Sequence, residues 1–216
     1  MSSWKYENLF YLTSDKKRIL KLLDHYEIFK KILNVKGDII ECGVFMGASL
    51  IRFLTFRDLI ETNNKRKVTG FDAFGQFPQP KINFTNKKAD TDFAKRHDKN
   101  IGIGININKL KKYLKNKKIT NYQLIKGDVL KTIPNYLLKN KKLKIALLHL
   151  DLDVYEPTRF VLENLYNKIS KNGIILIDDY THIKGATLAV DEFLKKNKLK
   201  IYRVSKNGRP YYIQKK

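Results

Sequence analysis

The sequence predicts an α/β protein with a mostly parallel β-sheet that is covered by helices on both faces. Three observations carry this prediction. Short apolar segments alternate along the chain with segments whose apolar residues recur at helical spacing. The segments IALLHL and GIILI are almost continuously apolar, which is typical of strands buried on both faces. The Asn207-Gly208 pair in the C-terminal tail predicts an antiparallel hairpin.

The first half of the chain predicts a helix, a strand, a second helix and a second strand, in that order. The helix covers Asp15 to Leu33, and Thr13 and Ser14 are further candidate caps beside Asp15. GDIIECGVFMGAS predicts a strand and a glycine turn that lead into a helix running to about Glu61. The segment KVTGFDAF is the second predicted strand.

The second half predicts three more parallel strands, which are YQLIKGD, LKIALLHLD and GIILIDD. Helices are predicted from Pro157 to about Ser170 and from about Lys184 to Lys196. The tail KIYRVSKNGRPYYIQKK predicts the two strands of the hairpin.

Residues 76–120 are less regular than the rest of the chain. Two prolines and mixed polarity predict a loop with a short helix. The alternating isoleucines from Ile101 to Ile107 fit either a half-buried strand or turn, which we favour, or a mobile flap over a site. This region is the candidate lid or acceptor-binding insertion of the domain.

Composition predicts one domain over residues 1–216, with a cap helix region at 1–36. A chain of 216 residues with 43% hydrophobic residues can bury a substantial core. No apolar run approaches the roughly 18 residues that a membrane span needs. The N-terminal MSSWKYENLF lacks the pattern of a secretory signal, and a single cysteine, Cys42, suits a reducing compartment. We therefore expect a cytoplasmic protein.

The chain is strongly basic, with 44 basic against 21 acidic residues and a formal net charge of +23. One interpretation is a nucleic-acid partner that is bound through its phosphates. The other is the codon bias of an AT-rich genome, because the excess is mostly Lys and because Asn and Ile are also frequent. We favour codon bias, since Lys lacks the planar fork that reads bases.

Acidic residues follow every predicted parallel strand, despite this basic composition. The carboxyl ends of parallel strands meet at one edge of a sheet, where ligands bind. Crowded carboxylates repel each other unless a cation or hydrogen-bond donors lie among them. The pattern therefore predicts a ligand that is positively charged or rich in donors. The acids, in strand order, are Glu41, Asp72, Asp128, Asp151 with Asp153, and Asp178 with Asp179.

Asp151 and the Asp178-Asp179 pair are candidate metal ligands. The strand breaks at Tyr180-Thr181-His182, which lets neighbouring carboxylates face one ion. Carboxylate oxygens, waters and substrate oxygens suit a hard cation such as Mg²⁺. The sequence contains no Cys or His cluster, so it does not indicate zinc.

The first glycine turn points to a cofactor without phosphates. Gly43 and Gly47 are four residues apart, which is not the G-x-G-x-x-G spacing of a pyrophosphate site. Glu41 would repel a phosphate and attract an ammonium group, and Asp72 is placed to accept hydrogen bonds from ribose hydroxyls. S-adenosylmethionine combines these properties.

With these residues, the chain resembles the macrocin O-methyltransferase family, whose members methylate sugar hydroxyls. The matching stretches are GDIIECGVFMGAS, GFDAFGQFP, GDVLKTIP, LLHLDLDVYEPT and ILIDDYTHIKGATLAVDEF. FYLTSDKKRI is similar to the family's segment that folds over the cofactor. The resemblance implies a Rossmann-like class I methyltransferase with a seven-stranded sheet that ends in an antiparallel hairpin.

The resemblance also implies roles for individual residues. Asp151, Asp178 and Asp179 would hold a divalent metal, Mg²⁺ in our expectation, and Asp151 would also be catalytic. His182 would be a candidate base, whereas Asp153 is expected to brace the following turn. The residues expected to bind the cofactor are Glu41, Gly43, Gly47, Ser49, Asp72 and Asp128.

The expected activity is metal-assisted transfer of a methyl group from S-adenosylmethionine to a hydroxyl of a sugar or glycosylated metabolite. The main alternative is an RNA methyltransferase whose lysines contact phosphates. A non-catalytic basic module and a nicotinamide oxidoreductase are disfavoured by the intact acids and by the missing G-x-G-x-x-G. The chain lacks segments that shape the acceptor pocket in longer relatives, so the acceptor and self-association into a homo-oligomer stay open.

Overall fold

The computed structural model describes residues 3–61, 66–79 and 87–216. Its helices are α1 (Ser3–Thr13), α2 (Lys16–Ile32), α3 (Ala48–Ile60), α4 (Lys87–Asn100), α5 (Ile107–Asn116), α6 (Val129–Lys139), α7 (Tyr155–Leu165) and α8 (Lys184–Asn197). Its strands are β1 (Asp38–Cys42), β2 (Val68–Asp72), β3 (Tyr122–Lys126), β4 (Ile145–Leu150), β5 (Ile169–Ile177), β6 (Tyr202–Arg203) and β7 (Tyr211–Gln214).

The seven strands form one sheet in the order β3-β2-β1-β4-β5-β7-β6. Strands β1 to β5 pair in parallel, and β7 runs antiparallel to both β5 and β6. This arrangement confirms the predicted mostly parallel sheet with an antiparallel hairpin at its C-terminal end. The strand order reverses between β1 and β4, which is where open α/β sheets bind ligands.

Apolar side chains cover both faces of the sheet, as the continuous apolar runs predicted. All six residues of β4 are buried. Successive side chains of a strand point to opposite faces, so Leu147 packs with Phe29 and Phe53 under α2 and α3, whereas Leu148 packs with Leu162 of α7 on the other face.

Residues 76–120 are more helical than the sequence predicted, although residues 80–86 lie outside the described part. Two helices, α4 and α5, stand where we expected a loop with a short helix. Asn106 caps α5 by accepting the N–H groups of Asn108 and Lys109, and Leu114 on that helix is buried. Between the helices, only Ile105 of the alternating isoleucines is buried, and the described residues 101–106 form no strand.

Helices α1 and α6 are also absent from the sequence prediction. The α1 helix exposes large apolar side chains, with Trp4 70% and Leu12 84% exposed. Its sequence therefore lacks the apolar face that predicts a packed helix.

Across the described ranges 3–61, 66–79 and 87–216, no helix is both long enough and apolar enough to cross a bilayer.

Arg57, near the end of α3, should be among the most sensitive residues of the fold. Its fully buried guanidinium donates to Asp58 Oδ1 at 2.6 Å and to the backbone oxygens of Asn121 and Thr120, each at 2.8 Å. Arg57→Met would remove all of these donors at once, although the oxygen of Asn121 would keep its bond from the N–H of Val68, so we expect a loss of about 3–5 kcal/mol in urea unfolding. Arg96→Met, on the exposed part of α4, is the control and should change stability by less than about 0.5 kcal/mol.

Candidate functional site

A cavity of about 1070 Å³, open mouth included, lies at the carboxyl edge of the sheet. Each of the first four strands contributes a lining residue immediately at or after its end: Gly43 for β1, Asp72 for β2, Asp128 for β3 and Asp151 for β4. The predicted convergence of acids at this edge is therefore present for three of the strands that line the cavity. The size suits a ligand of nucleoside dimensions.

The glycine turn after β1 is held in place by Asp72. Its Oδ2 accepts the N–H groups of Val44 and Phe45 at 2.8 and 2.9 Å, and its Oδ1 accepts the N–H of Phe74 at 2.5 Å. Gly43 has a φ of +93°, and a Cβ there would overlap the carbonyl oxygen of Asp151. Asp72 thus lies at the predicted edge of the sheet, but most of its hydrogen bonds stabilise the glycine turn.

Asp128 combines a cavity position with a structural role. Its Oδ1 accepts the N–H of Leu130 at 2.9 Å and so caps the first turn of α6. The residue also lines the cavity, where its carboxylate can face a ligand.

Three of the residues predicted to bind the cofactor lie behind the glycine turn and not in the cavity lining. The carboxylate of Glu41 is fully buried, and its Oε1 accepts from Ser49 Oγ and lies 3.1 Å from His149 Nδ1. Gly47 begins α3 with a φ of +84° and approaches Leu110. The assignment of Glu41, Gly47 and Ser49 to the cofactor stays a prediction.

The carboxylates that converge most closely are those of Asp151, Asp153 and Asp179, and we refer to them as the acid group. One oxygen from each lies within 4.8 Å of the others. Asp153 has a φ of +63°, and its N–H donates to Asp179 Oδ2 at 3.1 Å. Burial and repulsion from neighbouring carboxylates raise the pKa of Asp151 to about 6 and that of Asp153 to about 8, and they raise the pKa of Asp179 as well.

Asp178 forms an ion pair with a lysine of α2 and is not one of the three carboxylates of the acid group. Lys21 Nζ lies 2.5 Å from Asp178 Oδ2 and 3.7 Å from Asp151 Oδ2. Burial alone would raise the pKa of Asp178, but Lys21 and His149 outweigh it and lower that pKa. Asp153, which we expected to be only a brace, is thus the third carboxylate of the acid group, and the assignment of Asp178 to the metal stays a prediction. Nothing in the sequence indicated the ion pair between Lys21 and Asp178, because Lys21 reaches the acids only through the packing of α2.

His182 lies on the surface and does not line the cavity. Its Nδ1 lies 3.0 Å from the carbonyl oxygen of Tyr180, within the turn that precedes α8. A role for this histidine as a base requires a substrate that reaches outward, and it stays a prediction.

The α4 helix forms a wall of the cavity that sequence reasoning missed. Asp90 Oδ2 accepts the N–H of Tyr155 at 2.8 Å, and the absence of a side chain at Gly185 makes room for its carboxylate. His97 lies against the ring of Phe77, with centroids 4.4 Å apart, and both residues line the cavity. The helical spacing of Asp90, Ala94 and His97 in the sequence could have indicated this helix.

The arrangement as a whole suits a ligand with a ring system and a positive charge. Aromatic and aliphatic side chains such as Phe77 and Leu130 line much of the cavity. Carboxylates at its edge can accept hydroxyl and ammonium donors, and Asp153 can exchange a proton near neutral pH because its pKa is about 8.

Comparisons with known proteins agree on one family. The family model described as macrocin-O-methyltransferase (TylF) matches residues 12–207. The chain is 27% identical over 165 residues to demethyldecarbamoylnovobiocin O-methyltransferase of Streptomyces niveus, which covers 76% of this chain and 60% of that protein. It is 26% identical over 166 residues to 8-demethyl-8-(2,3-dimethoxy-alpha-L-rhamnosyl)-tetracenomycin-C 4'-O-methyltransferase of Streptomyces olivaceus, with 74% and 60% covered. The aligned part thus spans about 60% of the length of these two relatives.

Solved structures of similar fold extend the comparison. The crystal structure of the calicheamicin methyltransferase CalS11 has a TM-score of 0.80 and 25% identity, and it covers 99% of this chain and 86% of that one. The O-methyltransferase NovP has a TM-score of 0.76 and 23% identity, with 90% and 79% covered, which is a likeness of fold.

Proposed function

The chain belongs to the macrocin O-methyltransferase family, and on that premise we propose that it transfers a methyl group from S-adenosylmethionine to a hydroxyl of a sugar or glycosylated metabolite. The observation that carries the proposal is the cavity whose edge is formed by Gly43, Asp72, Asp128 and Asp151 at the ends of four parallel strands. Two relatives are named for methylation of a novobiocin precursor and of a rhamnosyl tetracenomycin.

The cavity fits the cofactor in shape and charge. When bound, S-adenosylmethionine supplies a methyl group on a positively charged sulfonium. Asp128 and the remaining lone pairs of Asp72 would accept donors of the adenosine, and Phe77 and Leu130 would enclose its ring. Glu41, Gly47 and Ser49 support the turn from behind, and Glu41 Oε2 has no hydrogen-bond partner within the described ranges.

The acid group contains a carboxylate that can accept the proton of the acceptor hydroxyl. A carboxyl group whose pKa lies near the working pH is an effective proton acceptor. The pKa of Asp153 is raised to about 8 by burial and by Asp151, so its Oδ atoms can take the proton as the hydroxyl oxygen forms its new bond. Asp151, at the cavity wall, would orient the hydroxyl beside it.

The acid group also fits a hard divalent cation such as Mg²⁺, because Asp151, Asp153 and Asp179 bring three carboxylate oxygens within 4.8 Å. A cation held there would keep Asp153 ionised as a ligand instead of leaving it as the proton acceptor, and it would lower the pKa of the acceptor hydroxyl. Asp178 would join this set only after its ion pair with Lys21 opens. We expect EDTA to lower turnover at least about tenfold and Mg²⁺ to restore it, whereas Asp179→Asn should become insensitive to both.

The proposal is tested with a panel of acceptors. The full chain is incubated with S-adenosylmethionine and with TDP-rhamnose, a rhamnosyl polyketide, a glycosylated aminocoumarin or total RNA, and release of S-adenosylhomocysteine is measured. Methylation of a sugar hydroxyl, located by mass spectrometry, is the expected result. The family match does not favour the RNA alternative, and methyl transfer to RNA alone would overturn the proposal.

A further inference from the structure

Three buried side chains meet beneath the acid group, one each from α2, β4 and the end of β5. They are His25, His149 and Asp178, and atoms able to bind a metal lie within 4.8 Å of one another. The two histidines are 0% exposed and Asp178 is 5% exposed. In the part of the chain that the structure describes, neither ring nitrogen of His25 has a hydrogen-bond partner, nor has Nε2 of His149 or Oδ1 of Asp178. Buried polar atoms left unpaired are costly, so this convergence calls for an occupant.

His149 is oriented as metal-binding histidines are. Its Nδ1 lies 3.1 Å from Oε1 of Glu41, and a carboxylate at that nitrogen favours the tautomer with the proton on Nδ1. The lone pair then lies on Nε2, which is buried and has no hydrogen-bond partner among the described residues. Glu41 therefore has a reason to be buried that does not involve the cofactor.

Neighbouring residues hold the side chains of Asp178 and His25 in position. Lys21 binds Oδ2 of Asp178 at 2.5 Å, which leaves Oδ1 for the site and keeps the carboxyl ionised. His25 lies one helical turn after Lys21 on the same face of α2, and its ring stacks on Phe53 with centroids 5.1 Å apart. Burial, His149 and the nearby cations lower the pKa of His25, whereas the carboxylate of Glu41 outweighs burial and raises the pKa of His149, so a metal would displace a proton from His149. Metals bind neutral imidazole and ionised carboxylate.

We propose that His25, His149 and Asp178 form a buried site for a transition-metal dication, with Zn²⁺ as the best match. Two imidazole nitrogens and one carboxylate oxygen favour zinc over Mg²⁺ or Ca²⁺, which prefer oxygen ligands alone. The site differs from the acid group in its atoms, and it joins α2 to the central strands. The sequence analysis found no histidine cluster, because His25 and His149 are far apart in the chain.

The electrostatics allow a dication at this position. Glu41, Asp151 and Asp178 are the carboxylates that act on His149, whereas Lys21, Arg18 and Arg52 are the cations that act on His25. Two of these anions are the proposed ligand Asp178 and Glu41, the partner of His149, so negative charge lies directly at the proposed site. Among the cations, Lys21 contacts a ligand directly, and its ion pair with Asp178 partly offsets its charge.

Cobalt spectroscopy tests the site, because Co²⁺ in a four-coordinate nitrogen and oxygen site absorbs visible light strongly, whereas Co²⁺ bound to oxygens and water absorbs weakly. The full chain is stripped with a chelator and titrated with Co²⁺. We expect one strongly absorbing ion per chain, displaced by an equal amount of Zn²⁺. His25→Phe keeps an aromatic ring against Phe53 but removes a ligand, and it should weaken Co²⁺ binding at least about a hundredfold, more than loss of an orienting partner does.

Asp153→Asn is the matched control, because it changes the acid group and leaves all three proposed ligands in place. It should keep the absorption band. If His25→Phe does not fold, His149→Gln should show the same loss of the band. A wild-type protein without the band would overturn the proposal, as would a band that Asp153→Asn abolishes and His25→Phe leaves intact. In either case an ordered water or a direct hydrogen bond would satisfy these side chains. The readout needs no substrate, so it is independent of the proposed methyl transfer.

Discussion

Asp153→Asn should lower kcat for methyl transfer by about 10²–10⁴-fold, the range that general acid–base catalysis contributes. The amide cannot accept the proton of the acceptor hydroxyl, but it keeps the size of the side chain. The backbone N–H of residue 153 still donates to Asp179, so the turn should persist. Affinity for S-adenosylhomocysteine should change less than threefold, since the loss falls on chemistry and not on cofactor binding.

Two comparison variants make this result specific. Glu163→Gln changes an exposed carboxylate of α7 that forms an ion pair with Lys196, and it should retain wild-type turnover. His182→Gln removes the other candidate base. If His182→Gln loses activity while Asp153→Asn retains it, the proton acceptor is the surface histidine and the assignment to Asp153 is wrong.

Gly43→Ala should destabilise the protein by roughly 2–6 kcal/mol and abolish cofactor binding. The positive φ of +93° contributes about 1–3 kcal/mol of strain in a residue with a side chain. The overlap of the new Cβ with the carbonyl oxygen of Asp151 contributes about as much again, because both strand ends are packed in place. Urea unfolding measures the first effect, and calorimetry with S-adenosylhomocysteine measures the second.

Gly102→Ala is the control that separates the backbone strain of a positive φ from the steric overlap expected in Gly43→Ala. Gly102 also has a positive φ, of +111°, but no atom of the described residues lies within 4 Å of the Cβ that it would gain. This variant should lose only about 1–3 kcal/mol and should bind the cofactor normally. Equal losses in the two variants would mean that the close approach of β1 and β4 does not constrain the turn.

The fold could be predicted from sequence because the central strands β4 and β5 are strongly apolar and every parallel strand has an acid at or just after its end. Strands such as β4 are buried on both faces, so their pattern does not depend on neighbours that the sequence hides. The family prediction is likewise confirmed by the match over residues 12–207. By contrast, α1 leaves its apolar residues exposed, and α4 is a polar segment whose helical pattern consists of three buried positions.

The site was predicted less completely, since its details depend on contacts between distant segments. Nothing near Asp178 in the sequence indicates that Lys21 of α2 holds its carboxylate. Similarly, Glu41 was placed at the right turn, but its partner His149 lies on the neighbouring strand, directly opposite in register. The ends of the strands can be predicted from sequence, and they show which residues reach the edge of the sheet. The hydrogen-bond partners of those residues depend on how the helices pack, which the sequence does not show.

Calorimetric titration with S-adenosylhomocysteine is the most direct test of the central claim, which is that the cofactor occupies the cavity at the carboxyl edge of the sheet. Ala73→Trp places an indole in the lining of that cavity, and Leu138→Trp makes the same change at a position of α6 that is 70% exposed and remote from it. We predict one site per chain in the wild type, a loss of at least about tenfold in affinity, or 1.4 kcal/mol, for Ala73→Trp, and no change for Leu138→Trp. Absence of binding to the wild type, or equal affinity in all three proteins, would contradict the account.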